Sequence, residues 1–261
     1  MGRLISVASG KGGVGKTTVS ANLATAIAKL GEKVAVVDAD VTMANLALLF
    51  GLQSAPITLQ DVLMGDAEIF DAMYEGPYGL TVIPSGLGMG GYRKIDPERM
   101  KDAMEKLAQN FDYVFVDIPA GIGDNAMAAM AATKEYIIVL TPDKAAIADA
   151  LKAKLTAEKI GLKAVGAIVN MSQGLKEEPT NEEIKNILEM AVLGRVPLDR
   201  EVRRSFLLKK PAPVVVRAPD CEAAKEFMRI AYRITGIAPK APEKKGFLTI
   251  IKSIFGGKKK R

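Results

Sequence analysis

Histidine is absent from the 261 residues and cysteine occurs once, at Cys221. Without imidazole, a Ser-His-Asp triad, a His-rich zinc centre and a histidine proton relay are excluded. A single thiol rules out an internal disulfide, a Cys-rich metal site and a cluster held by one chain alone. Long apolar runs are missing too, for no stretch approaches the roughly 20 residues that a membrane-spanning helix needs. The first apolar run, residues 4–8, is too short for a signal peptide and leads straight into glycines, so a cytoplasmic location is expected.

Positive charge is scarce outside one end. The chain carries a net +6, yet residues 240–261 hold eight of its 36 basic residues and one of its 30 acidic ones, so the preceding 239 sum to −1. A nearly neutral body makes nucleic acid an improbable partner across a whole face; a basic end points to one localised anionic contact.

Short β-branched runs at residues 4–8, 34–38, 80–84, 113–117, 136–141, 165–170, 192–197 and 214–217 lack two-residue alternation, which predicts strands buried on both faces of a parallel sheet. Helical patterns lie between them at 16–30, 97–110, 144–160, 181–190 and 220–235. The expected fold is α/β, a single doubly wound, mostly parallel sheet over residues 1–236. A linker follows at 237–245, where Pro239 and Pro242 stand among small and charged residues, then a tail at 246–261.

Between the first strand and the first helix stands Gly10-Lys11-Gly12-Gly13-Val14-Gly15-Lys16-Thr17-Thr18. It satisfies G-x-x-x-x-G-K-[ST] in the strand-loop-helix setting that this phosphate-binding motif requires. Glycines let successive N–H groups converge on phosphate oxygens, and the helix adds its positive end. Lys16 would neutralise the β and γ phosphates, Thr17 would place its hydroxyl on Mg²⁺, and Thr18 would reach the α-phosphate. Residues 114–117, Val-Phe-Val-Asp, form an apolar strand ending in the acid that such sites use to hold Mg²⁺ through water, which nominates Asp117. Asp38 and Asp40 pair at the end of the second strand, beside the edge where α/β sheets bind ligands. Asn170, at another strand end, could read an adenine edge, and no Asn-Lys-x-Asp segment for guanine occurs.

Lys11, directly after the first glycine, makes this loop resemble the deviant Walker A motif of the ParA/MinD branch of P-loop ATPases, and the resemblance covers nearly the whole chain. It implies ATP and Mg²⁺ as ligands, a nucleotide-sandwich homodimer with Lys11 reaching the partner's phosphates, and hydrolysis to ADP and phosphate. It further implies that Asp40 orients the attacking water, that Asp38 supports the metal shell, that Gly121 of Pro119-Ala120-Gly121 bonds the γ-phosphate, and that Pro197 lines the base pocket beside Asn170. Ile118 departs from the small polar residue common at its position in relatives.

In the tail, Phe247, Ile250, Ile251, Ile254 and Phe255 share one helical face with Leu248 on its flank, while Thr249, Lys252 and Ser253 fill the other. At about 1.5 Å per residue the segment is half a bilayer core long, so it would lie in a membrane interface rather than cross it, with lysines at both ends facing anionic head groups. A helix packed on the body and a basic arm for nucleic acid are the other readings; the latter has no need of that apolar face. The tail resembles the membrane-targeting sequence of the MinD family. The expectation is an ATP-dependent dimer on the inner face of the cell membrane, working with cell-division regulator proteins. A ParA-like DNA-partitioning ATPase, a flagellar-number regulator and a non-catalytic ATP-binding scaffold are the alternatives. Iron–sulfur carriers sharing this loop use paired cysteines, which this chain does not have.

Overall fold

A computed structural model describes residues 1–40, 45–86 and 96–239. The linker's end and the tail, with Phe247, Leu248, Ile250, Ile251, Ile254 and Phe255, lie outside them. Eight strands form one sheet: β1 (Arg3–Ala8), β2 (Val34–Asp38), β3 (Tyr74–Glu75), β4 (Thr81–Ile83), β5 (Tyr113–Asp117), β6 (Glu135–Leu140), β7 (Lys163–Ser172) and β8 (Val192–Pro197). Their order across the sheet is β3-β4-β2-β5-β1-β6-β7-β8, parallel except for the short β3–β4 pair. The helices are α1 (Lys16–Lys29), α2 (Asn45–Phe50), α3 (Leu59–Met64), α4 (Pro97–Asn110), α5 (Asp124–Ala131), α6 (Lys144–Lys159), α7 (Asn181–Leu188), α8 (Arg200–Leu207), α9 (Val214–Arg217) and α10 (Glu222–Thr235).

Alternate residues of the central strands feed two cores. Leu4, Ala8, Ala35 and Val37 join α4, α5, α6 and α7 on one face; Ile5, Val7, Val34 and Val36 join α1 and α10 on the other. Both faces are dry, which is why the strands read as unbroken apolar runs. β1 lies between β5 and β6, so the chain crosses over there and opens a crevice at the strands' C-terminal ends.

Seven of the eight expected strands form. The exception is residues 214–217, which make the short helix α9. Their β-branched composition favours extended chain, but packing wins: Val214 and Val215 are buried in the α1–α10 core and the Val215 N–H donates to Asn22 Oδ1 at 3.2 Å. Nor is the β8 edge open to a ninth strand. From α10, Glu226 accepts the Arg195 N–H and Arg233 donates to the Leu193 carbonyl, filling main-chain positions that another strand would use.

Candidate nucleotide site

β1 delivers the chain to residues 10–15, and α1 starts immediately after them. A Cβ on Gly10 would lie 2.1 Å from the Asp149 carbonyl, because α6 crosses directly over this glycine. Gly15 has φ +82°, and a side chain there would meet Asn170 Nδ2 at 2.3 Å. The loop is therefore wedged between α6 and the end of β7, with Asn170 Nδ2 donating to the Val14 carbonyl at 2.8 Å. Gly12 and Gly13 are exposed, and Thr17 and Thr18 are half-buried in the first turn of α1.

Beneath the loop is a buried charge array. Lys16 Nζ lies 2.7 Å from Asp117 Oδ1, with the two side chains 7% and 0% exposed. Ser20, one helical turn after Lys16, can donate its single hydroxyl proton to Asp117 Oδ1, at 2.9 Å, or to the Lys16 carbonyl, at 3.1 Å. Asp38 and Asp117 are register partners on adjacent parallel strands. Burial, reinforced by the Asp117 carboxylate, pushes the Asp38 carboxyl well above its usual range against the pull of Lys16 and of the Asp40 and Leu46 N–H groups. Asp40 is half-buried at the β2 end, its N–H bonded to Asp38 Oδ1 at 3.1 Å.

Asp117 Oδ2 is buried without a hydrogen-bond partner among the described residues. An orphaned carboxylate oxygen beside a second acid, below a ring of loop amides, fits a hydrated divalent cation with an attached polyphosphate. The Gly121 N–H donates to the Ser9 carbonyl at 2.9 Å, which ties the segment after β5 to the loop. Ile118 is buried in the core, so the position that departs from the family pattern serves packing. Lys11 is paired with a different acid from Lys16: its Nζ is 3.3 Å from Asp143 Oδ1 at the start of α6. Pro197 ends β8 in register with Ser172, whose carbonyl accepts the Leu198 N–H at 2.8 Å.

The structure thus gathers residues 10–18, Asp38, Asp40, Asp117, Gly121, Asn170 and Pro197 along one sheet edge. The sequence reading missed Ser20 and Asp143. Ser20 was detectable, since it follows Lys16 by four residues and so shares its helical face; the Lys11–Asp143 contact is long-range and leaves no local pattern.

A family profile described as an AAA domain matches residues 2–164, more than half of the chain, and a second, described as a NUBPL iron-transfer P-loop NTPase, matches residues 98–235. An uncharacterized ATP-binding protein of Methanocaldococcus jannaschii is 42% identical over 97% of this chain and 96% of its own length. The septum site-determining protein MinD of Synechocystis sp. is 36% identical over 90% of both chains. The chain belongs to the MinD family of P-loop ATPases. The septum site-determining MinD of Pyrococcus horikoshii OT3, solved with Mg-ADP, superposes with a TM-score of 0.85 at 34% identity, covering 92% of this chain and 100% of that one. The MinD fold accounts for the mostly parallel sheet and the strand-loop-helix at residues 3–29.

The Asp38 carboxyl gives this MinD-family site a pH signature. Its pKa is raised on folding from an ordinary 3.8. Asp38 therefore favours the empty fold most fully below that value, and the contribution is lost as pH rises through the folded pKa. Asp38→Asn cannot ionise. In metal-free buffer its melting temperature is expected to gain on that of the parent as pH rises from about 4 to about 7, as scanning calorimetry can follow. A gap independent of pH would contradict the protonated state.

Proposed function

We propose that the chain is a Mg²⁺-dependent ATP hydrolase that pairs with a second copy of itself when ATP is bound, docks through its tail on an anionic membrane surface at the inner face of the cell membrane, and takes part in spatial regulation of cell division with regulator proteins. The observation that carries the reading is the buried Lys16–Asp117–Asp38 array under a glycine loop, with one Asp117 oxygen lacking a partner among the described residues.

In this reading the N–H groups of Gly10, Lys11, Gly12, Gly13, Val14 and Gly15 wrap the phosphates, and Thr18 meets the α-phosphate. Lys16 transfers its ammonium from Asp117 to the β and γ phosphates. Thr17, Asp38 and Asp117 would hold Mg²⁺, which would supply positive charge against the phosphates. Asp40 orients the attacking water, and the Gly121 N–H bonds the γ-phosphate and gives up that contact after hydrolysis. Asn170 and Pro197 border the base, which we take to be adenine. Support for the base pocket comes from Asn170 being tied to the loop through Val14 and to the β8 end through Ser172 and Leu198.

Lys11, turned toward Asp143 in the single chain, is the residue we assign to the partner's phosphates. The assignment is tested by phosphate release at increasing protein concentration. Turnover per chain should rise with concentration in the parent and stay at its basal level in Lys11→Ala, while Asp40→Ala should bind ATP without releasing phosphate. Turnover per chain that is independent of concentration would refute the paired mechanism.

A further inference from the structure

The segment joining β7 to α7 is fastened to β8 by one arginine. Arg195 Nη1 donates to Glu178 Oε2 at 3.0 Å and to Ser172 Oγ at 3.1 Å, Nε donates to Asn181 Oδ1 at 2.9 Å, and Nη2 reaches the Pro179 carbonyl. Glu178 in turn accepts from the Gln173 N–H and from Ser172 Oγ. The pair is mostly shielded, at 24% and 10% side-chain exposure, so it is screened far less than a surface ion pair. Burial alone would raise Glu178; the bonds from Ser172, Gln173 and Arg195 hold it below its ordinary range instead.

This network is placed to set the base-binding geometry. Ser172 follows Asn170 by two residues, and Arg195 precedes Pro197 by two. Between Asn170 and Ser172, Met171 sits at φ +56°, a left-handed conformation that a non-glycine residue adopts at a cost. The β7–β8 register also shifts between Val169 and Ser172. A strained, irregular strand end persists only where its surroundings over-determine it. Here they do so through a planar guanidinium whose fork a lysine cannot reproduce.

We propose that Arg195, with Glu178, is a positioning residue for the nucleotide base: it fixes the distance between the Asn170 and Pro197 strand ends and so governs affinity for the base without touching the phosphates. The proposal rests on the base pocket advanced above. The phosphate cradle is built on β1 and α1 and meets β7 through the Asn170–Val14 bond. The side chains of Arg195 and Glu178 bond instead to each other, to Ser172 at the end of β7, to the segment before α7 and to Asn181 at the start of that helix. A clamp variant that leaves the Asn170–Val14 bond in place therefore separates base from phosphate by ligand.

The test is calorimetric titration of the full chain, with Mg²⁺, by ADP, GDP and tripolyphosphate in the parent, Arg195→Met, Arg195→Lys, Glu178→Gln and Asn170→Ala. Arg195→Met and Glu178→Gln should each weaken ADP about tenfold and narrow its preference over GDP. Tripolyphosphate affinity should stay within about twofold of the parent, a double variant joining Arg195→Met and Glu178→Gln should be no worse than the worse single one, and Arg195→Lys should recover only part of the loss. Unchanged ADP affinity, or a parallel fall in tripolyphosphate affinity, overturns the proposal. If Asn170→Ala weakens ADP while the clamp variants do not, the base pocket survives and the clamp fails. If the clamp variants alone weaken ADP, the clamp stands and Asn170's part in the pocket falls.

Discussion

Lys16→Met is expected to weaken Mg-ATP binding at least 100-fold and, independently, to destabilise the empty protein by about 3 kcal/mol. A solvated loop lysine would produce only the first effect. The second arises because the Lys16 ammonium is buried 2.7 Å from Asp117, which is itself completely buried beside Asp38. Removing the cation leaves Asp117 a hydrogen bond from Ser20 at 2.9 Å but no opposite charge within reach among the described residues. An uncompensated buried charge is the costly case, whereas removing both members of a pair often costs little. Lys16→Met combined with Asp117→Asn should therefore regain most of the lost stability and none of the nucleotide binding. Urea denaturation in metal-free buffer, with titration calorimetry on the same samples, separates the two effects. Single and double variants that melt together would show that the array stores no such charge.

The second large effect concerns the tail. Ending the chain at Glu243, or introducing Ile254→Glu, should lower ATP-dependent binding to anionic vesicles by about 10²-fold. A short isolated helix is marginal in water and folds only on the lipid, where ordering offsets much of the hydrophobic gain. On the proposed reading one tail would bind weakly, and two joined tails would gain avidity without any new contact, provided both reach one surface. The described chain leaves α10 at Gly236, close to where the Ile234 carbonyl accepts from Arg3 at the start of β1, at the sheet edge opposite the glycine loop. The glycine loop and the end of the described chain thus lie at opposite edges of the sheet, so on the proposed reading pairing would have to couple nucleotide and tail without contact between the two. Vesicle co-sedimentation with ADP, with ATP and without nucleotide measures this. Equal binding of intact and truncated chains would remove the tail from the account.

The phosphate loop was legible in the sequence because its chemistry is local: consecutive amides, two lysines and two hydroxyls within nine residues, in a setting that strand and helix patterns announce. The parallel sheet was legible for a related reason, since strands dry on both faces leave continuous apolar runs. Residues 214–217 show the limit of that signal. Three valines in a row read as strand, yet Asn22 and the α1–α10 core fold them into α9, and the α10 side chains along β8 leave no vacancy for another strand. What could not be read was the pairing of distant residues. Lys16 meets Asp117 across 101 positions because β1 and β5 are neighbours, and Lys11 meets Asp143 across 132. The Arg195 clamp is hidden likewise: Glu178 and Arg195 are 17 residues apart on different elements and follow no periodic pattern.

Light scattering coupled to size exclusion, on Asp40→Ala so that ATP persists, tests the central claim most directly. A mass near twice 27.8 kDa with Mg-ATP is predicted, falling to one chain with ADP, without nucleotide, or when Lys11→Ala is added. The same mass under every nucleotide condition would contradict it.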